Sequence, residues 1–341
     1  MDLNNRENSL KFWQLTRNKM FMVPAWWHYT EYDTFMYDIM CYDTVRMNSY
    51  QSVIQKTVKG KRIVDIGAGA TLPLTLMCME SGANFVYAIE GNQNAANKAA
   101  DIIKEKHLSH KIRIIPGHSF ESELPEKIDI CLSELIGSIG NAEGVVSILK
   151  DAKRFLKGDG IMIPQRCVTK IVPISLPDNI YSDGFIEDVV AYYIQSAYNK
   201  AGRKFEFSRF EFYNFPESNM IAEPQIFEDI RFEKEMFPEF TSSLSFIIQS
   251  DCKFEGFLLW INLYIDSETM IDSWCGSSWT PIYIPHKTCF FLKERDIMNV
   301  ECIAKLGKNS INPDYIFNGI IYRNRDEVYN FSIHSKASFD S

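Results

Sequence analysis

The sequence has no continuous run of the roughly 20 apolar residues that a membrane-spanning helix needs. It also has no long basic block: 36 Lys and Arg stand against 44 Asp and Glu among 341 residues, for a formal net charge of −8. Because neutralising phosphates requires a basic surface, this balance disfavours nucleic-acid binding. The N-terminal stretch MDLNNRENSLKFW has Asn and acidic residues where a signal peptide would be apolar. We therefore expect no nucleic acid and no membrane among its partners.

Closely spaced cysteines are also missing. The sequence contains eight cysteines, at Cys41, Cys78, Cys131, Cys167, Cys252, Cys275, Cys289 and Cys302. None forms a Cys-x-x-Cys pair, and most lie within apolar stretches. Zinc sites need close ligand spacing, and disulfide scaffolds are typical of small secreted chains. We therefore expect reduced, buried thiols, no bound metal and a cytoplasmic location.

Large apolar side chains are abundant. The composition, with 46% hydrophobic and 23% charged residues, is that of a folded globular protein and excludes disorder as the main state. Aromatic residues make up 13%, enough to fill two cores and line a pocket. Since 341 residues exceed one ordinary core, we expect two domains of about 150 to 200 residues each.

Residues 60–165 alternate short β-branched runs with helical stretches. The expected strands are KRIVDIG, NFVYAIE, KIRIIPG, KIDICLSE and GIMIP, and the expected helices cover residues 72–81, 92–107 and 145–156. Such alternation is typical of a parallel sheet with helices packed on its faces. The pattern predicts an α/β fold with a Rossmann-like domain over residues 51–165.

The pattern changes after Pro164. Runs such as VTKIVPI, SSLSFIIQS, GFLLWINLYI and YNFSIHS follow one another, punctuated by Pro and Asn. They predict an all-β, barrel-like second domain over residues 166–341. Residues 183–201 are the exception, because their apolar side chains recur at helical spacing. We expect an amphipathic helix there.

Two glycines, Gly67 and Gly69, stand at the end of the first predicted strand. A tight turn there lets a ligand approach the backbone without a Cβ in the way. Glu90 ends the next strand, where a carboxylate can accept hydrogen bonds from ribose hydroxyls. Both NAD(P) and S-adenosylmethionine fit this pattern. Thr71 replaces the third glycine that a pyrophosphate needs, and the closing segment 145–164 resembles that of class I methyltransferases, so methyl transfer is favoured over hydride transfer.

Two carboxylates follow the fourth strand, Glu134 and Glu143. On a helix, nine steps of about 100° would put them on opposite faces. Gly137 and Gly140 between them instead indicate a folded loop that brings both acids together at the carboxyl ends of the strands. Because close carboxylates repel each other unless a cation lies between them, the loop is suited to binding a cation with several donors, such as a guanidinium.

This pair of glutamates resembles the double-glutamate loop of protein arginine methyltransferases. The similarity extends over about residues 25–335. The stretches YDTF from Tyr32 and DTVRMNSY from Asp43 resemble the family's N-terminal motif. Ser278-Trp279-Thr280-Pro281 stands where the family has a Thr-His-Trp loop, with serine in place of histidine. The Ser-Trp pair at 278–279 and the Ser-Glu-Leu form of the glutamate loop are more similar to the symmetric-dimethylating branch of the family than to the commoner asymmetric one.

The resemblance implies a role for each motif. Glu134 and Glu143 would bind and orient an acceptor guanidinium, with Trp279 against its face and Phe35, or Met36 or Met40 nearby, narrowing the space around the methylated nitrogen. Residues 1–50 would form a helical segment that closes over S-adenosylmethionine, and the helix at 183–201 would be a dimerisation arm of a homodimer. The implied cofactor-binding residues are Tyr32, Arg46, Asp65, Gly67, Gly69, Glu90, Ser119 and Glu134.

Simpler interpretations compete with these roles. Taken alone, Arg46 is a surface helix arginine paired with Asp43 three residues earlier, and Trp279 and Phe35 are core residues. The acceptor is a guanidine-bearing protein, peptide or arginine-derived metabolite, or else another small molecule methylated on oxygen or nitrogen. A third alternative is a scaffold without catalysis. The glutamate pair favours guanidine over a hydroxyl, since an O-methyltransferase gains nothing from two buried anions.

Overall fold

The computed structural model describes residue 3 and residues 5–30, 33–274, 276–308 and 310–337. The N-terminal elements are α1 (Arg6–Asn18), β1 (Phe21–Pro24), α2 (Thr34–Tyr42) and α3 (Thr44–Thr57). Aspartates fix where the last two helices begin. The side chain of Asp33 accepts a hydrogen bond from the N–H of Met36, and that of Asp43 from the N–H of Arg46. These caps satisfy N–H groups that a helix start leaves unpaired.

The first domain contains a parallel sheet of five strands. They are β2 (Arg62–Ile66), β3 (Phe85–Glu90), β4 (Ile112–Pro116), β5 (Ile128–Ser133) and β6 (Leu156–Ile163), with α4 (Pro73–Glu80), α5 (Gln93–Glu105) and α6 (Val145–Ala152) between them. The strand order is β4-β3-β2-β5-β6, so the winding reverses between β2 and β5. Ligands of open α/β sheets bind at such a reversal. The predicted Rossmann-like sheet is confirmed.

The second domain is antiparallel and β-rich, as predicted. Its strands are β7 (Arg166–Ile174), β8 (Phe210–Tyr213), β9 (Gln225–Arg231), β10 (Phe240–Ile247), β11 (Cys252–Tyr264), β12 (Met270–Asp272), β13 (Ile282–Leu292), β14 (Ile297–Leu306), β15 (Pro313–Arg323) and β16 (Asp326–Ser335). One sheet has the order β1-β8-β13-β11-β7-β9 with β12 beside β11, and the other has the order β10-β14-β15-β16. The N-terminal strand β1 therefore completes a sheet of the second domain, which the sequence pattern did not reveal.

Phenylalanine rings fill the space between these two sheets. The ring centroid of Phe257 lies 5.3 Å from that of Phe254 on the same strand and 5.4 Å from that of Phe317 on the other sheet. All three side chains are fully buried. Aromatic pairs at this separation contribute attraction beyond their buried area. Much of the high Phe content of the sequence is therefore used in the second core.

The helix predicted over residues 183–201 is present as α7 (Gly184–Ala201). Its buried side packs on the N-terminal elements through Tyr193, whose ring stacks on Trp26 with centroids 5.0 Å apart. The Tyr193 hydroxyl also donates a hydrogen bond to Asp33, at 2.6 Å. Because Asp33 caps α2, the helix α7 stabilises the start of an element that borders the cavity described below.

Among the helices of the described ranges, none is long and apolar enough to cross a lipid bilayer. The same part of the chain contains no cluster of three or more His, Cys, Asp or Glu side chains suited to a metal ion. Its seven cysteines are free thiols.

Candidate active site

A cavity of about 790 Å³ opens at the reversal between β2 and β5. Its walls come from the carboxyl ends of the parallel strands, from α2 and α3, and from β8 of the second domain. Nine of the predicted site residues line it: Arg46, Asp65, Gly67, Gly69, Glu90, Ser119, Glu134, Glu143 and Trp279. Residues far apart in sequence are in direct contact in this cavity, such as Arg46 and Ser278, which are 232 positions apart.

The glycine turn and Glu90 form one unit. Gly67 and Gly69 have φ angles of +77° and +71°, a region that favours glycine. The N–H of Gly69 donates to Oε2 of Glu90 at 2.8 Å, and the N–H of Asn92 donates to Oε1 at 2.8 Å. Two backbone donors thus fix the carboxylate at the end of β3. Each oxygen keeps a further lone pair for ligand hydroxyls.

Asp65 and Ser119 line the same cavity as this turn. The Thr75 hydroxyl donates to Asp65 at 2.6 Å, and burial raises the pKa of the Asp65 carboxyl to about 7. Ser119 is buried, and its carbonyl oxygen accepts a hydrogen bond from Arg154 at 2.7 Å. Arg154 thereby fixes the short turn that carries Ser119. Tyr32, the remaining predicted cofactor residue, lies outside the described residues.

The loop after β5 brings the two glutamates to one cavity, as predicted. Gly137 is the fold-back point, because a Cβ there would lie 2.9 Å from the carbonyl oxygen of Ile139 and 3.4 Å from Cγ of Glu143. Glu134 is mostly buried and Glu143 is half-buried. Burial raises the pKa of Glu134, and the Arg46 guanidinium opposes that shift.

Residues of the second domain fix this loop through hydrogen bonds. Thr169 on β7 donates to Glu228 on β9 at 2.9 Å and accepts from the N–H of Gly140 at 3.0 Å. Glu228 also accepts from the N–H of Asn141 at 3.2 Å. A Cβ on Gly140 would lie 2.9 Å from a Glu228 oxygen. Thr169 and Glu228 were not predictable from the sequence, since no local pattern relates them to the glutamate loop.

Arg46 connects the glutamate loop to the loop that carries Ser278 and Trp279. Its guanidinium donates to Glu134 at 2.9 Å and to the Ser278 hydroxyl at 2.5 Å, and it lies 3.6 Å from the ring centroid of Trp279. It also pairs with Asp43 at 3.5 Å, as the simpler interpretation expects. The side chain is 6% exposed, so it is not a surface arginine. A cation stacked on a desolvated indole contributes about 2 kcal/mol.

Trp279 has a different neighbour from the one predicted. Its indole N–H donates to the carbonyl oxygen of Ile136 at 2.6 Å, which anchors it to the glutamate loop. The guanidinium on its ring belongs to Arg46 of the chain itself. Contact between Trp279 and an acceptor guanidinium therefore requires the other ring face or displacement of Arg46.

The assignment of Phe35 to the acceptor pocket is contradicted by the structure. Phe35 is fully buried and packs on Phe12, with ring centroids 5.6 Å apart. It points into the N-terminal core, whereas Met36 and Met40 of the same helix line the cavity. The physical reason is helical phase: α2 begins at Thr34, and its cavity-facing stripe falls on other residues. The methionines are therefore the candidates for shaping the acceptor space.

The sheet order, glycine turn and paired-glutamate loop together define a class I methyltransferase fold followed by an antiparallel β domain. Residues 9–163 match the family described as PRMT5 arginine-N-methyltransferase. Histone-arginine methyltransferase CARMER of Drosophila grimshawi is 34% identical over 163 residues, which are 47% of this chain and 29% of that relative. CARMER of Drosophila persimilis is 33% identical over 163 residues, which are 47% of this chain and 30% of that relative. The chain thus spans about three tenths of the length of these curated relatives.

Solved structures extend the similarity to the second domain. Protein arginine methyltransferase 10 of Arabidopsis thaliana superposes with a TM-score of 0.71 at 18% identity, covering 90% of this chain and 98% of that one. The Trypanosoma brucei PRMT1 enzyme–prozyme complex with AdoHcy superposes with a TM-score of 0.69 at 15% identity, covering 87% of this chain and 96% of that one. The cofactor-binding half is therefore similar in sequence to protein arginine methyltransferases, and the described structure has their fold.

Proposed function

We propose that this chain is an S-adenosylmethionine-dependent methyltransferase that methylates a guanidino nitrogen of arginine in proteins. The observation that carries the proposal is the placement of Glu134 and Glu143 on the wall of one cavity with the glycine turn and Glu90. The family of the matching segment and the relatives named histone-arginine methyltransferase support it.

The cavity residues fit S-adenosylmethionine. Gly67 and Gly69 leave the strand end free of Cβ atoms, and Glu90 offers ribose a carboxylate fixed by two backbone donors. Arg46 supplies a cation for the carboxylate of the amino-acid end. When bound, S-adenosylmethionine supplies an electrophilic methyl group on its sulfonium. Leu135, which packs over Gly67, helps to exclude water from this end of the cavity.

The glutamates prepare the acceptor for transfer. Paired charge-assisted hydrogen bonds from a guanidinium to Glu134 and Glu143 draw its positive charge towards the bound nitrogens. The remaining nitrogen keeps more electron density and is held in one orientation. It would form the new N–C bond as the bond between the methyl group and sulfur breaks, leaving a neutral thioether, and would then release one proton to solvent. Positioning and electrostatics supply most of the rate acceleration in such a displacement.

Incubation with radiolabelled S-adenosylmethionine tests this function directly. The acceptors are arginine-rich peptides, the same peptides with every Arg replaced by Lys, free arginine and a lysate of small metabolites. Label on the arginine peptides and not on the lysine ones supports protein arginine methylation. Label on small molecules alone supports the metabolite alternative. Cofactor binding without label on any acceptor supports the scaffold.

We also propose that the product is symmetric dimethylarginine. The support is Ser278 in place of histidine beside Trp279, and the Ser133-Glu134-Leu135 form of the glutamate loop. The CARMER relatives are named histone-arginine methyltransferase, a name that supports arginine methylation without giving the symmetry of the product. Fragmentation mass spectrometry of a methylated peptide separates the two, because the isomers lose different neutral amines.

We further propose that the chain forms a homodimer through α7. Its inner side is occupied by the N-terminal elements, but Tyr192 on the outer side is 49% exposed, with Tyr181 nearby in sequence at 44%. We expect Tyr192→Asp to convert the dimer to a monomer in light scattering, because burying an unpaired charge at an interface is costly. Phe237→Asp, at a residue that is 62% exposed in the second domain, is the control and should stay dimeric. A monomeric unmodified chain would refute the proposal.

A cytoplasmic location is proposed on the basis of thiol chemistry. The buried thiols Cys78, Cys131 and Cys167 have pKa values raised by burial, so they are inert as nucleophiles. Reduced, unpaired cysteines suit a reducing compartment. Fractionation of the source cells, followed by immunoblotting, tests this location.

A further inference from the structure

A third acid, Glu211, lines the same cavity and has no part in the proposed methyl transfer. It lies on β8 in the second domain and is 5% exposed. We propose that Glu211 binds a second cationic group of the acceptor, an amine, so that the acceptor is an arginine with a protonated amine near its guanidine, which in a protein is an arginine at a free N-terminus. The proposal rests on the proposed function for the identity of the guanidine.

The hydrogen bonds of Glu211 leave one oxygen free for a ligand. Oε2 accepts a short hydrogen bond from the Tyr213 hydroxyl. Within the described ranges, Oε1 receives no hydrogen bond, and no Lys, Arg or His forms an ion pair with this carboxyl. A buried carboxylate without a cation is costly, so such groups are usually paired. A cation can reach this carboxyl from the cavity.

The pKa of Glu211 makes its charge responsive to a bound cation. Burial raises the pKa of this carboxyl to about 8, and the hydrogen bond from Tyr213 opposes the shift. No nearby charge contributes to it. At neutral pH the carboxyl is therefore mostly protonated in the empty cavity. A bound ammonium favours the carboxylate and turns this contact into a charge-assisted hydrogen bond.

Aromatic rings on the wall of the same cavity add to its attraction for a cation. Trp27, Tyr213 and Trp279 all line the cavity. Their faces attract cations, and the guanidinium of Arg46 already stacks on Trp279. Glu143 lies on a loop of the first domain and Glu211 on a strand of the second. Two acids on separate elements that line one cavity, together with aromatic rings, suit an acceptor that carries two positive groups.

The test compares two guanidines that differ by one amine. Agmatine carries a primary amine that n-butylguanidine lacks. Isothermal titration calorimetry in the presence of S-adenosylhomocysteine gives the affinity of each for the full chain. We expect agmatine to bind at least about tenfold more tightly, a free-energy difference of about 1.4 kcal/mol, because its amine gains a charge-assisted hydrogen bond. Glu211→Gln should abolish this preference, while Glu217→Gln, at an exposed acid, should retain it.

Tyr213→Phe separates cation binding from a structural role. It leaves the acid in place, so the preference for agmatine should persist, and bound S-adenosylhomocysteine verifies that each variant is folded. Equal affinity for both guanidines in the unmodified chain overturns the proposal, as does a preference that survives Glu211→Gln. Loss of preference in Tyr213→Phe as well as Glu211→Gln also overturns it. Methylation of arginine peptides is measured separately, so failure of the proposed function is distinguishable.

Discussion

Glu143→Gln is expected to lower kcat by at least about 100-fold while the affinity for S-adenosylhomocysteine stays within about twofold. The substitution keeps the shape of the side chain but removes the charge that draws positive charge away from the reacting nitrogen. Glu143 lines the cavity beyond the cofactor turn and is half-buried, so a neutral amide fits there without repacking. Methyl transfer to an arginine peptide gives kcat, and calorimetry gives the cofactor affinity.

Glu134→Gln is the matched comparison because it changes the other acid of the same loop. Glu134 binds Arg46 at 2.9 Å, so this variant is expected to lose activity and also to weaken cofactor binding. From the sequence of the loop alone, neither variant would be expected to change the affinity for the cofactor. The contact between Glu134 and Arg46 makes the two variants differ in this affinity. Full activity in Glu143→Gln, or identical effects of the two variants on cofactor affinity, would contradict the roles assigned here.

The fold was largely predictable because its signals are local. The strands of the first domain are short runs rich in Ile and Val, such as RIVDI in β2, and the apolar side chains of α7 recur at helical spacing. The strand β1 was not predictable, since four residues pair with β8 nearly 190 positions later. Its formation depends on a partner that no window of sequence contains. The arrangement of the second domain into two sheets has the same origin.

The candidate site was predictable where chemistry sits within a motif. Gly67, Glu90 and the two glutamates are local patterns, and the structure places them on one cavity. The stacking of Arg46 on the Trp279 ring was not predictable, because it depends on how α3 packs against a loop of the second domain. Glu211 escaped notice for a similar reason. A lone acid in a short strand has no pattern until the fold brings it to the cavity wall.

Gly67→Val is expected to reduce the affinity for S-adenosylhomocysteine by at least about 100-fold, a free-energy change of about 2.7 kcal/mol. Two effects combine. The φ angle of +77° is unfavourable for any side chain, and a Cβ would lie 2.6 Å from Cδ2 of Leu135. Leu135 follows Glu134 directly, so displacing it moves the glutamate loop as well as narrowing the turn. Normal affinity in calorimetry would show that the cofactor does not bind at this turn.

Gly60→Val separates backbone strain from loss of the binding surface. Gly60 has a φ angle of +72°, nearly that of Gly67, but a Cβ there meets no atom within 4 Å. It is exposed in the turn before β2, outside the cavity. Both variants should lose about 1 to 3 kcal/mol of stability from the strained backbone, measured as the free energy of unfolding. Only Gly67→Val should also lose cofactor affinity, because only its side chain collides with Leu135. Equal loss of affinity in both would mean that destabilisation alone accounts for the effect.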